Sequence, residues 1–100
     1  MPYRLSWRAR NDLDAIWLFS AKAWPVEQAD HYIDDLSRVF DIVADMPSLA
    51  RERAEFSPPV RIHAHRKHLI IYTIATDHVA ILRLLGDQQD WVSIFKAADF

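Results

Sequence analysis

The chain has 100 residues, of which 51% are hydrophobic and 26% charged, and its formal net charge is −2 at pH 7. This length allows one domain, residues 1–100, with one modest core, and the composition is typical of a globular protein rather than a disordered one. The absence of cysteine excludes disulfides and thiolate metal sites. No apolar run approaches the roughly 20 residues of a membrane-spanning helix, and nothing at the start resembles a signal peptide, so we expect a cytoplasmic protein.

The charges are distributed unevenly. Residues 51–68 carry five Lys/Arg against two Asp/Glu, a net charge of +3. Residues 1–46 carry five against eight, or −3, and residues 69–100 carry two against four, or −2. We therefore expect an anionic ligand to be attracted to the middle of the chain.

The N-terminal part of the chain predicts a short strand, residues 1–6, and then a helical hairpin, residues 7–46. Ser6 is a typical N-cap for the first helix. That helix should end before Pro25, which suits the first position of the second helix, and Pro47 should stop the second helix.

Two kinds of side chain in this hairpin have simple interpretations. Three tryptophans are expected to anchor its packing, namely Trp7, Trp17 and Trp24. Asp12 and Asp14, near the start of the first helix, are expected to be solvated and to interact with the helix dipole.

A three-stranded meander is predicted over residues 60–86. Residues 47–59 contain three prolines and should form a loop with at most one turn of helix. The first strand of the meander places three polar side chains on one face: Arg61, His63 and His65. A turn at Arg66-Lys67 then leads into a β-hairpin from His68 to Leu85, whose own turn is at Thr76-Asp77.

This hairpin is apolar on both faces, because each of its strands contains consecutive apolar residues. One helical hairpin covers one face of a small sheet, so the second face is expected to be a surface for a partner. The alternative is that the C-terminal tail, residues 87–100, folds back over it. In that case Asp90 would cap a short helix with a lid of three apolar residues: Trp91, Ile94 and Phe95.

Arg83 stands out because it lies within an apolar strand. A buried guanidinium has five donors to satisfy, so Arg83 should either form an internal salt bridge, with Asp90 or Glu55, or lie at an interface. The sequence leaves both possibilities open.

The His63 to His68 run is the most conspicuous polar cluster. His63 and His65 lack a third metal ligand at suitable spacing, so we expect no metal and no cofactor. The run contains no aromatic platform for base stacking, so we do not expect direct nucleic-acid binding. We find no paired-carboxylate, Ser/His/Asp or glycine-rich phosphate motif.

The predicted fold class is α+β, a small antiparallel sheet with an N-terminal strand and a helical hairpin on one face, in the order β-α-α-β-β-β plus a tail. Short fragments along nearly the whole chain resemble the RelE/ParE superfamily of toxins, and its ParE branch in particular. They are Ala9-x-x-Asp12-Leu13-x-x-Ile16, Gln28-Ala29-x-x-Tyr32-x-x-x-Leu36, Met46-Pro47, Pro59-Val60-Arg61, Ile70-Ile71-Tyr72 and Ile81-Leu82-Arg83-Leu84-Leu85 followed by Asp90.

The resemblance implies the toxin of a type II toxin-antitoxin module, in a hetero-oligomer with a cognate antitoxin, that inhibits DNA gyrase by binding. The polar framework of the open face would be Arg61, Tyr72, Arg83 and Asp90. The tail residues Trp91, Ile94 and Phe95 would contact the target or the antitoxin.

Two alternatives follow from the same resemblance. One is a RelE-like ribosome-dependent mRNA endoribonuclease that would use four side chains: Arg61, His63, His65 and Arg83. The other is a non-toxic antitoxin-binding member of the fold. Gly86 and Gln88 stand where relatives commonly carry His and Arg, and no tyrosine follows Tyr72, so inhibition by binding is favoured over nuclease activity.

Overall fold

The computed structural model describes residues 1–97 and gives the strands and helices in the predicted order. They are β1 (Tyr3–Leu5), α1 (Trp7–Ala23), α2 (Val26–Asp45), β2 (Glu52–Arg53), β3 (Val60–His65), β4 (His68–Ile74), β5 (Val79–Gly86) and α3 (Trp91–Ala97). The predicted α+β class is confirmed. Two short elements lie in the stretch predicted as loop: a single 3-10 turn, Pro47–Leu49, and the two-residue strand β2.

The strands of residues 1–97 form one five-stranded sheet in the order β1-β5-β4-β3-β2. β1 runs parallel to β5, and the other neighbours are antiparallel. The N-terminal strand therefore joins the sheet beside the last strand of the chain.

Ser6 fixes the start of α1, as predicted. Its hydroxyl oxygen accepts a hydrogen bond from the Ala9 amide at 3.0 Å and donates one to the Leu82 carbonyl at 2.6 Å. The residue that caps the helix therefore also ties it to β5. α1 ends before Pro25, as predicted. Pro25 is the N-cap of α2 rather than its first residue, so α2 begins at Val26, one residue later than predicted.

α1 and α2 cover one face of the sheet. The buried residues between them are apolar apart from the Tyr72 hydroxyl, and they are Ala9, Leu36, Val39, Phe40, Val43, Ile70, Tyr72, Val79, Ile81 and Leu84. Three of these helix residues, Leu36, Phe40 and Val43, recur at spacings of three and four, so they form one stripe of α2. Burial of this stripe holds the hairpin on the sheet.

β5 contains a β-bulge that the sequence did not predict. Tyr72 pairs with Ile81, but Ile71 pairs with Arg83, so Leu82 has no partner on β4. The bulge changes which side chains share a face: Ile81 and Leu84 pack under the helices, whereas Leu85 packs on the other side.

The second face of the sheet is covered in part by the chain itself. Ile71 and Leu85 pack there with Phe56 and with Phe95 of α3, and Phe95 lies 5.6 Å from Phe56 between ring centroids. The second face was expected to be a partner surface, and this expectation is corrected where Phe56 and α3 cover it. The seven described residues of α3 suffice for this, because Phe56 in the proline-rich loop contributes a second large side chain.

The tryptophans of the hairpin also differ from expectation. Trp17 does link the helices, since its indole N–H donates to Asp30 at 2.8 Å. Trp7 and Trp24 are 62% and 56% exposed, so they do not anchor the packing. No helix within residues 1–97 combines the length and apolar character that crossing a membrane requires.

Candidate functional site

Arg61, His63 and His65 share one face of β3, as predicted, because they pair across the ladder with Tyr72, Ile70 and His68. That face is the one that carries the helices. About 13 Å separates Arg61 from His65 along an extended strand, so the two side chains contact different parts of the molecule.

Tyr72 is fully buried, with 0% exposure, and does not lie on an open face. Its hydroxyl donates to the Pro47 carbonyl at 2.6 Å, and burial raises the pKa of Tyr72 above 10.0. Arg61 donates to the nearby Ala50 carbonyl at 2.6 Å. Both side chains therefore hold the loop that follows α2, which corrects the expectation of an exposed framework.

Arg83 forms an internal ion pair, but with neither predicted partner. Its Nε and one terminal nitrogen donate to the two oxygens of Asp12 at 2.8 and 3.0 Å, and both side chains are only 14% exposed. Asp12 also accepts the Leu84 amide at 2.9 Å. Asp12 is therefore not a solvated carboxylate: it ties α1 to β5 beside the bulge.

The predicted tail residues all lie in or next to α3. Asp90 caps the helix, since its carboxylate accepts the Ser93 amide at 3.4 Å, and Phe95 is buried. Trp91 and Ile94 are partly buried against the same apolar cluster. The tail thus has a structural contribution that does not depend on a partner.

Two hollows adjoin along the flank of α1. The first, of about 510 Å³, lies between α1 and the loop from β5 to α3, and its apolar lining includes Ile16, Phe19, Leu84, Leu85 and Ile94. The second, of about 490 Å³, lies between the ends of the helical hairpin and the β3–β4 turn. Phe19, Ser20, Lys67 and His68 line both, so the hollows form one continuous groove. Phe19 is 76% exposed at its centre.

The floor of the second hollow holds a polar aromatic cluster. The Tyr32 hydroxyl is hydrogen-bonded to His68 Nδ1, and the His65 and His68 rings lie 6.2 and 5.5 Å from the Tyr32 ring. Burial lowers the pKa of His65 and His68 below 6.5 and raises that of Tyr32 above 10.0. When the Tyr32 hydroxyl is the donor, Nδ1 of a neutral His68 accepts the hydrogen bond and the ring carries its own hydrogen on Nε2.

The turn beside this cluster has an unusual backbone. Arg66 has a φ of 53°, in the left-handed region that glycine and asparagine favour. Its guanidinium lies 3.7 Å from Asp35 and 6.0 Å from the centre of the Tyr32 ring. The fold thus places Arg66 and Lys67 at the mouth of the second hollow.

The four residues of the nuclease alternative do not converge. Arg83 is bound to Asp12, Arg61 is bound to the Ala50 carbonyl, and His65 lies beside Tyr32 at the other end of β3. Within residues 1–97 no group of three or more His, Cys, Asp or Glu side chains is placed to hold a metal ion.

The groove was not predicted from the sequence because its residues are far apart along the chain. Phe19 and Trp24 lie more than 40 positions from Lys67, and Asp12 lies 71 positions from Arg83. No local pattern reports such contacts. One signal was usable: Phe19 is a large apolar residue outside the stripe of α1 that packs in the core, which is Ala9, Leu13 and Ile16.

Comparison with known proteins identifies close similarity along most of the chain. Residues 3–91 match the family described as "ParE toxin of type II toxin-antitoxin system, parDE". The chain is 36% identical over 84 residues to Toxin ParE1 of Caulobacter vibrioides, covering 84% of this chain and 86% of that protein. It is 28% identical over 89 residues to Toxin ParE1 of Mycobacterium tuberculosis, covering 88% and 91%.

A solved structure shares the fold. A chain of the structure titled "Chromosomal ParDE TA system from P. aeruginosa" superposes with a TM-score of 0.75, covering 86% of this chain and 95% of that chain at 19% identity. The family match ends at Trp91, the first residue of α3.

Proposed function

Since the chain belongs to the ParE toxin family of type II toxin-antitoxin systems, we propose that it inhibits DNA gyrase by binding and that a cognate antitoxin neutralises it. The observation that carries the proposal is the family match over residues 3–91. Action by binding is supported by the dispersal of the polar side chains that a nuclease would need.

The antitoxin is proposed to bind at the first hollow, beside Phe19. Its lining is mainly apolar, and an exposed aromatic side chain at its centre is the kind of feature that marks a protein interface. Ile94 lines this hollow, so it is the tail residue best placed for a partner contact. Phe95 and Tyr72 are proposed to support the surface from inside the core.

Induction of the chain in cells separates this proposal from the nuclease alternative. We expect chromosome breaks that disappear in a strain whose gyrase is insensitive to the toxin, and no mRNA cuts phased to codons in ribosome profiling. Codon-phased cuts without gyrase-dependent breaks would contradict the proposal and favour the nuclease. Co-expression of the antitoxin should abolish the breaks.

A further inference from the structure

The second hollow differs in its lining from the first hollow, the proposed antitoxin site. One wall is aromatic, formed by Phe19 and Trp24, which are 76% and 56% exposed. The β3–β4 turn contributes Arg66, Lys67 and His68 to the same lining. Two exposed aromatic rings and a group of hydrogen-bond donors therefore line one hollow of about 490 Å³.

Positively charged side chains outnumber negatively charged ones in the lining of this hollow. Asp35 is the carboxylate in its lining, and it already contacts Arg38 at 2.7 Å and Arg66 at 3.7 Å. Among residues 1–97 Lys67 has no ion-pair partner. This excess of positive charge lies in the segment of the chain with a net charge of +3, although the whole chain is at −2.

The backbone and the floor both fix these donors in place. Arg66 is the first residue of the two-residue loop between His65 and His68, a position at which a tight hairpin turn requires a positive φ, and its φ is 53°. The Tyr32 hydroxyl is hydrogen-bonded to Nδ1 of His68, and when the hydroxyl is the donor, Nε2 of the neutral ring carries a hydrogen. The tight hairpin turn and the hydrogen-bonded imidazole thus hold these side chains at the edge of the cavity.

We propose that the second hollow binds a nucleoside phosphate, either free or as part of single-stranded nucleic acid. The base stacks on Trp24 and Phe19, and the phosphate oxygens accept hydrogen bonds from Lys67, Arg66 and His68. This goes beyond the proposed function. The charge distribution already favours an anionic ligand at this segment, but the basic run contains no aromatic residue; the fold supplies the aromatic platform through Phe19 of α1 and Trp24 at its C-cap.

A phosphate fits these donors better than a peptide carboxylate does. Lys67 adds three N–H groups to those of Arg66, which already lies 3.7 Å from Asp35, and a phosphate monoester has three terminal oxygens to accept them whereas a carboxylate has two. The two exposed rings also offer more flat surface than a small apolar side chain uses. Both features match a planar base linked to a phosphate.

Titration of the purified chain with adenosine 5′-monophosphate tests the base contact, with tryptophan fluorescence as the readout. We expect saturable quenching that Trp24→Leu removes, with affinity lowered about tenfold when measured by calorimetry. Trp7→Leu is the matched control, since Trp7 is similarly exposed but lies outside the hollow, and it should leave affinity unchanged. Equal effects of the two variants would overturn the proposal.

The phosphate contact has its own pair of variants. Lys67→Gln should weaken binding of the monophosphate about tenfold, whereas Lys22→Gln, on the exposed surface outside the hollow, should change it less than twofold. Adenosine without phosphate should bind at least tenfold more weakly than the monophosphate. If inorganic phosphate binds as tightly as the nucleotide, the base is not recognised and the proposal fails.

A single-stranded RNA of eight nucleotides distinguishes the two sources. Binding more than tenfold tighter than the monophosphate, and lost in both Trp24→Leu and Lys67→Gln, assigns the site to a nucleic-acid strand. Equal affinity assigns it to the free nucleotide. No saturable binding of either probe up to roughly 5 mM would overturn the proposal.

Discussion

At the scale of single residues, Asp12 connects more of the molecule than any other carboxylate described above. It accepts two hydrogen bonds from Arg83 and one from the Leu84 amide. These bonds hold α1 against β5 next to the bulge. Because both side chains are largely buried, loss of one partner leaves the other charge without compensation.

We predict that Asp12→Ala lowers the free energy of unfolding by about 2–4 kcal/mol, measured by urea denaturation. Asp14→Ala, two positions away and exposed, is the control and should change it by less than about 0.5 kcal/mol. A double variant with Arg83→Met should lose less stability than the sum of the single losses, since neither charge is then unpaired. Equal losses for Asp12→Ala and Asp14→Ala would contradict the role of the pair.

The lowered pKa of His68 predicts that the free energy of unfolding depends on pH. Burial lowers its pKa below 6.5, so the folded state binds fewer protons than the unfolded state in mildly acidic solution. The stability that the neutral ring contributes is therefore complete above pH 6.5 and is lost as the pH falls through the lowered pKa. The pKa of Tyr32 is raised above 10.0, so the stability that its neutral hydroxyl contributes should be lost as the pH rises beyond 10.0.

The measurement is the free energy of unfolding at pH 7.5 and pH 5.0 for the native chain and for His68→Gln. The decrease between the two pH values should be smaller in the variant. His31→Gln, an exposed histidine, should retain the native decrease. An unchanged decrease in His68→Gln would show that His68 does not titrate as described.

At the scale of elements, α3 and Phe56 decide how much of the sheet remains open. Phe95 packs edge-on against Phe56, and Trp91 lies 6.0 Å from the same ring between centroids. The short helix thus seals one end of the second face.

Replacement of Phe95 by alanine should lower the free energy of unfolding by about 2–4 kcal/mol, because it opens a cavity beneath α3. Ser93→Ala, on the exposed side of the same helix, should have little effect. Phe56→Ala should be strongly non-additive with Phe95→Ala, since the two rings contact each other. Thermal unfolding monitored by circular dichroism checks both statements.

Elements with a strong local pattern were predictable, and those set by distant contacts were not. The α2 stripe, the Ser6 cap and the β4–β5 hairpin follow from spacing and residue type. The parallel pairing of β1 with β5 joins segments about 75 residues apart, and β2 has only two residues. The bulge at Leu82 was not predictable because β5 is apolar apart from Arg83, so its sequence shows no alternation whose break would mark the extra residue.

At the scale of the whole molecule, the helical hairpin, the β3–β4 turn and the loop before α3 together form one groove. Its centre, Phe19, is exposed although it is a large apolar residue. The sequence predicted a partner surface on the open face of the sheet. The structure offers a more specific candidate on the flank of α1, which depends on three segments that are distant in sequence.

We predict that Phe19→Arg weakens antitoxin binding at least tenfold, because it places a charge at the centre of an apolar contact. Leu18→Arg is the matched control: Leu18 is 55% exposed on the same helix but does not line the groove. It should bind the antitoxin within about twofold of the native affinity. Calorimetry with the purified antitoxin measures both, and equal weakening would place the interface elsewhere.

The most direct test of the central claim is a DNA cleavage assay with purified gyrase and supercoiled plasmid. We predict that the purified chain increases gyrase-dependent cleaved DNA and lowers supercoiling activity in proportion to its concentration, and that an equimolar amount of cognate antitoxin reverses both. The chain alone, without gyrase, should leave the plasmid intact. If saturating toxin changes neither cleavage nor supercoiling, the proposed inhibition of gyrase is wrong.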